Sequence, residues 1–134
     1  MSGDSDALPI PKWPPHFPDD CPPQDAFVAS GAVFRAVKAD PLSANDFLSY
    51  LEEEKPIRNA TKRCQASGVS VQRTLEEARR HLATLPGVYK YIAAATLMTA
   101  HGKMKPTPNK KWPEHLTWWP FAEVVRQAAF RVIE

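Results

Sequence analysis

The sequence predicts an α+β fold: a compact small sheet of about five strands, two to three helices and an extended proline-rich amino-terminal arm. Three observations lead to this class. Short segments alternate apolar and other residues with the period of strands, and a capped segment at 74–85 has helical periodicity. Seven of the fourteen prolines fall within the first 23 residues, where they exclude helix and central strand. We expect residues 1–25 to form the arm and residues 26–134 one domain.

Composition narrows the class of protein. The chain is 43% hydrophobic and 24% charged, which is typical of a globular domain, and its net charge of +2 is too mild for a general nucleic-acid binder. Any basic surface by which this protein binds a partner must therefore be confined to a small part of the molecule. No apolar run reaches the roughly 20 residues of a membrane span, and the start of the chain is acidic. We expect a cytoplasmic protein without membrane contact.

Two cysteines, Cys21 and Cys64, are too few for a disulfide framework and lack the spacing of a zinc or redox site. No metal is expected. The simplest interpretation is that both are buried, inert thiols. The alternative is that Cys64 acts as a nucleophile with His115 as its base, which requires an electropositive, partly open setting.

The arm carries two large aromatics, Trp13 and Phe17, among its prolines. Proline fixes the backbone in an extended form, partly polyproline II. We expect the arm to be strapped onto the domain, because two aromatics on an exposed tail would be a liability. The alternatives are a proline-rich ligand for another protein's groove, or disorder.

The first half of the domain begins with a strand at 32–38, rich in valine and containing Arg35. Arg35 shares a face with valines, so burial of that face would require an anionic partner for it. If this is an edge strand, Arg35 can reach water instead. A helix is expected to open at the N-cap Ser43 and to stop before Pro56, and 57–63 to be a surface loop.

The second half continues with a strand at 64–72 and the capped helix at 74–85. A long alternating strand follows at 88–98, and then a basic, proline-broken loop at 103–111. Residues 121–134 are ambiguous, because helical spacing gives way to alternation. We favour a short helix followed by a last strand.

The densest chemistry lies in the strand at 115–121, which holds two adjacent tryptophans. Alternation places His115, Thr117 and Trp119 on one face, with Leu116 and Trp118 on the other. One interpretation is a pocket wall formed by the imidazole, hydroxyl and indole. The other is that both tryptophans fill a small core while His115 and Thr117 make structural hydrogen bonds.

The loop before this strand places lysines beside an aromatic ring. Such a pattern can hold phosphates while bases stack on the ring, although charged loops are usually only solvated. The candidate contact residues are Lys103, Lys105, Lys110, Lys111 and Trp112.

The order of elements resembles an ADP-ribosyltransferase core. Arg35 in Val33-Phe34-Arg35-Ala36-Val37 matches that family's first-strand motif, and Ser70 in Gly68-Val69-Ser70-Val71 loosely matches its second. The third, acidic motif is not matched well, because Glu114 and Glu134 lie outside the expected pattern. The chain also resembles small bacterial proteins with a Cys-Pro-Pro segment and a His-x-Thr-Trp-Trp strand, to which no activity can be attached.

The resemblance implies a pocket for NAD or a related nucleotide, with possible transfer of ADP-ribose. It implies cofactor contacts from Arg35 and Ser70, to which the pocket-wall interpretation of the tryptophan strand adds Thr117 and Trp119. The candidate catalytic residues are His115, Ser70 and Glu114. The rival class is a non-enzymatic binding module that recognises a protein or single-stranded nucleic acid through the tryptophan strand and lysine loop. The two differ at Arg35, which an enzyme pocket needs pointed inward beside Ser70.

Overall fold

The computed structural model describes residues 11–57 and 59–134, which form a sheet of seven antiparallel strands with two α-helices. The α+β class is confirmed, whereas the expected number of about five strands is too low. The strand order is β1-β5-β6-β3-β2-β4-β7. In chain order the strands are β1 (Phe27–Val28), β2 (Gly31–Val37), β3 (Val69–Gln72), β4 (Tyr91–Leu97), β5 (Gly102–Pro106), β6 (His115–Pro120) and β7 (Arg131–Val132).

The two α-helices are α1 (Arg63–Ser67) and α2 (Leu75–Thr84). Only α2 lies where a helix is predicted. The helix expected from Ser43 is a single 3₁₀ turn, Ala44–Phe47. It stops there because the Asp46 carboxylate accepts hydrogen bonds from the backbone N–H groups of Ser43 and Lys38, at 3.0 and 2.8 Å, while Phe47 turns into the core. Tertiary contacts here override the local helix signal.

Helix α2 begins as its sequence predicts, with the Thr74 hydroxyl accepting from the Glu77 N–H at 3.2 Å. The Glu77 side chain does not complete the capping box. It accepts instead from the N–H of Glu114 at 2.7 Å, on the residue just before β6. The helix start is thereby attached to the sheet.

Two loop and strand predictions are wrong. Residues 103–106 belong to strand β5, which pairs with β6 in the register Lys103 with Trp119 and Lys105 with Thr117. The predicted strand at 64–72 is helical in its first part and extended only over β3. At the carboxyl end a 3₁₀ turn, Arg126–Ala129, precedes β7, in the predicted order of a short helix and then a strand.

Alternation along the strands divides the sheet into two faces. One face, the core face, carries the main apolar cluster, which includes Val33, Val37, Val69, Val71, Leu116 and Trp118. The opposite face, the arm face, carries a smaller cluster in which Cys21, Ala26 and Trp119 are buried against Trp13, Phe17 and Cys64. Adjacent residues of β6 therefore belong to different clusters.

The described part of the arm lies against the arm face. The Trp13 ring is 5.7 Å from that of Phe17 and 4.7 Å from that of Phe121, and the Lys12 carbonyl accepts from the N–H of Ala122 at 2.7 Å. Residues 1–10 of the predicted arm lie outside the described residues.

A disulfide joins Cys21 of the arm to Cys64 of α1, which corrects the expectation of two free, inert thiols. The two residues are 43 positions apart in sequence, yet their Cα atoms lie 5.6 Å apart. That distance is a product of the tertiary fold, which spacing in the sequence does not encode. The bonded sulfur has no thiolate to offer, so the nucleophile pairing of Cys64 with His115 does not apply to this form.

Reduction of this bond should destabilise the fold. Opening a covalent loop of 43 residues removes a constraint on the unfolded chain worth about 4 kcal/mol in the chain-entropy model. Urea unfolding with and without a thiol reductant measures the loss. The double variant Cys21→Ser, Cys64→Ser is the control, because reductant should leave its midpoint unchanged. A reduced wild-type protein with the midpoint of the oxidised one would contradict this account.

Candidate functional site

The residues predicted to share one pocket are divided between the two faces of the sheet. His115 pairs with Gln72, and Gln72 pairs with Phe34, so these three lie in one row across β6, β3 and β2. His115 alternates with Leu116, which belongs to the core face, and the row therefore lies on the arm face. Arg35 follows Phe34 and points to the core face, between Val33 and Val37. The predicted convergence of Arg35 with His115 in one cleft is absent from the described structure.

Arg35 is held by backbone groups. Its Nε donates to the Asp46 carbonyl at 2.8 Å and its Nη1 to the Ser70 carbonyl at 2.6 Å. Its guanidinium carbon also lies 5.9 Å from the centre of the Phe47 ring. The anionic partner expected for a buried arginine is replaced by two neutral carbonyls, and the contact with Ser70 leaves that residue's hydroxyl uninvolved. Arg35 thus braces β2, β3 and the first 3₁₀ turn together.

The charge of Arg35 is costly in this position. Burial lowers the pKa of its guanidinium, against which Tyr89 and the carboxylates of Glu53 and Asp46 act to raise it. Both carbonyl oxygens face the cation directly, which offsets part of the lost hydration. Nε and Nη1 of Arg35 are therefore used in contacts within the fold.

On the arm face, a small polar network joins β6 to the residue after β5. Thr107 Oγ1 lies 2.7 Å from His115 Nδ1 and 2.8 Å from Thr117 Oγ1. Ser70 stands opposite Thr117 in the β3–β6 register. The predicted residues Ser70, Thr117 and His115 are therefore neighbours on one face, and Thr107 is a fourth member that sequence reasoning missed.

The imidazole of His115 is half-buried, and burial lowers its pKa. A hydrogen bond with the backbone of Thr107 opposes this shift, and the charge of Arg35 adds to it. The ring is therefore neutral near pH 7. Glu114, the third predicted catalytic residue, is exposed, and its N–H is occupied by Glu77.

The two tryptophans of β6 fill cores, as the structural alternative predicts. Trp118 is 0% exposed and Trp119 is 1% exposed. Their indole N–H groups donate to the carbonyls of His101 and Cys64, at 3.0 and 2.9 Å. Thr117 is also buried, at 1% exposure. Trp119 and Thr117 thus present no open surface to a ligand.

The four candidate lysines fall into two groups. Lys103 and Lys105 lie on β5, and Lys105 forms an ion pair with Asp25 at 2.7 Å. Lys110 and Lys111 are exposed in the loop at 107–114, which connects β5 to β6. The side chain of Asn109 organises this loop by accepting from the N–H groups of Lys111 and Trp112, at 3.0 and 2.9 Å.

Trp112 lies beneath two cations, Arg80 and Lys111, and Lys110 is next to Lys111 in the chain. We call Arg80, Lys110, Lys111 and Trp112 together the Trp112 cluster. The guanidinium carbon of Arg80 lies 4.5 Å from the indole centre and Lys111 Nζ lies 5.5 Å from it. Arg80 also donates to the Lys111 carbonyl at 2.5 Å. The ring of His81 meets the indole edge-on at 5.0 Å. Arg80 comes from α2, 31 residues away, and no local signal links it to this loop.

The cations of this cluster have no carboxylate partner among the described residues. No salt bridge within residues 11–57 and 59–134 involves Arg80, Lys110 or Lys111. By contrast, Arg79 is paired with Glu134, and Lys105 with Asp25. The Trp112 cluster therefore places positive charge that no described carboxylate contacts directly beside one half-exposed indole.

Comparisons with known proteins leave the site to be interpreted from its own chemistry. No protein-family model matches the chain, and no curated protein or solved structure matches it. Within the part of the chain that the structure describes, no group of three or more His, Cys, Asp or Glu side chains could hold a metal ion. None of the helices described here is long and apolar enough to cross a membrane.

The pKa of His115 predicts how stability depends on pH. A histidine whose pKa is lowered by folding is protonated first in the unfolded chain, near its ordinary value of about 6.5. The neutral ring therefore contributes stability above that pH, and the contribution is lost as pH falls. Urea unfolding between pH 7 and pH 5 should show a shallower decline for His115→Gln, by at most about 1.4 kcal/mol per pH unit. Equal slopes for the two proteins would show that His115 does not titrate this way.

Proposed function

We propose that this chain is a non-enzymatic binding module that recognises an acidic segment of a partner protein through the Trp112 cluster. The observation that supports it is the pair of cations, Arg80 and Lys111, that lie over one half-exposed indole, with the exposed Lys110 next to them in the chain. None of the three forms a salt bridge with a described residue. Carboxylates accept charge-assisted hydrogen bonds from guanidinium and ammonium groups. The indole adds a large, rigid contact surface that loses little conformational entropy on binding.

The cluster is organised before any partner binds. Arg80 is fixed by the Lys111 carbonyl, and the loop is fixed by Asn109. Side chains already ordered in the free protein lose less entropy on binding. With a net charge of only +2 on the whole chain, this local concentration of charge is the feature that can steer an anionic partner.

An acidic protein segment fits the cluster better than single-stranded nucleic acid does. Base stacking needs an open aromatic platform. The Trp112 indole already has the Arg80 guanidinium and Lys111 ammonium within 6 Å of its centre, and His81 against its edge. The disulfide adds a second argument, because disulfides persist in oxidising compartments and are rare in the cytosol. The cytoplasmic location expected from the sequence remains a prediction that this bond disfavours.

An ADP-ribosyltransferase-like activity with NAD remains the second proposal, with weaker geometric support. It requires Arg35, Ser70 and His115 to share one cleft. Arg35 does contact Ser70, but through the backbone carbonyl and on the core face, whereas His115 lies on the arm face. Thermal stabilisation by NAD or ADP-ribose tests it directly, since a ligand at 100 times its dissociation constant adds about 2.7 kcal/mol. No stabilisation by either compound is the result expected of a binding module.

The double variant Lys110→Gln, Lys111→Gln should weaken binding of an acidic peptide without unfolding the domain. Fluorescence anisotropy with a labelled peptide rich in Asp and Glu measures the affinity. Two exposed charges at about 0.5–0.7 kcal/mol each correspond to a fivefold to tenfold loss. Added salt should weaken the wild-type complex for the same reason.

Lys12→Gln, Lys62→Gln is the matched control, because it removes the same charge from two exposed lysines outside the cluster. A peptide with Asn and Gln in place of Asp and Glu is the control on the ligand side. Equal losses in the two double variants would contradict a local site. Tighter binding of an oligothymidylate that depends on Lys110 and Lys111 would instead identify a nucleic-acid interface.

A further inference from the structure

A second site lies away from the Trp112 cluster, in a cleft of about 310 Å³ between the first 3₁₀ turn and the segment that follows β6. A cavity of this size is at the small end of the range for ligand sites, so it selects a small molecule. Its walls combine four apolar side chains with one pair of opposite charges and one amide: Ala44, Leu48, Val124 and Val125 with Glu52, Arg126 and Gln127.

The charged pair is largely withdrawn from solvent and firmly positioned. The side chains of Arg126 and Glu52 are 14% and 21% exposed. Arg126 Nη1 donates to Glu52 Oε1 at 2.6 Å and to the Phe47 carbonyl at 2.8 Å. Glu52 Oε1 also accepts from the N–H of Ser49 at 3.0 Å. The pair is thus anchored at one atom of each side chain.

The remaining polar atoms of the pair are available to a ligand. Among the described residues, Nε and Nη2 of Arg126 and Oε2 of Glu52 form no hydrogen bond, and none of them is a fully buried atom. The unused edge of the guanidinium presents two parallel N–H donors, the arrangement that binds a carboxylate in bidentate fashion. The unused carboxylate oxygen is an acceptor for an ammonium group.

We infer that this cleft binds a free α-amino acid with an apolar side chain. Its carboxylate would pair with the Nε and Nη2 edge of Arg126, and its ammonium group with Glu52 Oε2. The side chain would lie against Leu48, Val124 and Val125. The ligand and the pair are complementary in charge, because each carries one positive group, one negative group and no net charge. A simple carboxylate would meet repulsion from Glu52, and a simple amine repulsion from Arg126.

The Glu52 carboxylate is ionised at neutral pH, as this site requires. Burial raises its pKa, but the hydrogen bonds from Arg126 and Ser49, with the charge of Arg126, outweigh burial and hold the pKa below the ordinary value. His16 of the arm lies 3.7 Å from Glu52 Oε1 and 3.0 Å from the Ser67 carbonyl, so the arm contributes to the same anchoring.

Isothermal titration calorimetry of the oxidised full chain with L-leucine tests the inference. Two matched ligands each remove one charge: 4-methylpentanoate lacks the ammonium group, and 3-methylbutylamine lacks the carboxylate. L-leucine should bind at least tenfold more tightly than either. Two results would overturn the site: no heat with L-leucine at about 10 mM, tenfold above a weak dissociation constant of about 1 mM, or equal affinity for all three ligands.

Two variants locate the binding. Ala44→Phe fills the cleft while leaving the charged pair in place, and should abolish binding of L-leucine; Ala83→Phe, on an exposed position of α2, is the control. Glu52→Gln keeps an acceptor for Arg126 but removes the negative charge, so preference should shift from L-leucine toward 4-methylpentanoate. Because this readout is a ratio of two affinities, it holds even if Ala44→Phe fails to fold. Full affinity in Ala44→Phe, or an unchanged preference in Glu52→Gln, would place the ligand elsewhere.

Discussion

The alternation of two adjacent tryptophans on β6 is the constraint on which the rest of the structure depends. Trp118 completes the main core on one face of the sheet, while Trp119 closes the cluster under the arm on the other. Because the side-chain period of a strand is two residues, β6 cannot slip by one position without placing both indoles on the wrong face. This register also fixes the positions of β3 and β5, which pair with β6, and of the hairpin loop that carries Trp112.

The parts of the fold that the sequence predicts are those with local causes. Helix α2 follows from the Thr74 cap and its apolar spacing, and β6 from its alternation. The features that the sequence does not predict depend on contacts between residues that are distant in the chain. Strand β5 carries Lys103 and Lys105 and resembles a basic loop until β6 pairs with it. The disulfide of Cys21 with Cys64 forms because the fold brings two distant segments together. The spacing of two cysteines in the sequence does not predict this contact.

The same division holds for the candidate site. Lys110, Lys111 and Trp112 are adjacent in the sequence, so their basic and aromatic character is evident there, whereas Arg80 joins them from α2 through tertiary packing. Arg35, which lies between valines in the sequence, is half-buried on the core face. Its partners could not be predicted, because they are backbone carbonyls of Asp46 and Ser70, groups that every residue possesses. Arg35, which resembles a cofactor contact in the sequence, instead connects β2 to β3 and to the first 3₁₀ turn.

Amide and indole N–H signals can distinguish binding at the Trp112 cluster from any change at the two buried indoles of β6. The indoles of Trp118 and Trp119 donate to the carbonyls of His101 and Cys64 inside the fold and should not respond to a surface partner. Two-dimensional ¹H–¹⁵N NMR of the oxidised protein during titration with an acidic peptide therefore tests the central claim most directly. The account predicts progressive shifts of the Trp112 indole N–H and of the Lys110 and Lys111 amides. Unchanged signals there, or shifts centred on Ser70 and His115, would contradict it.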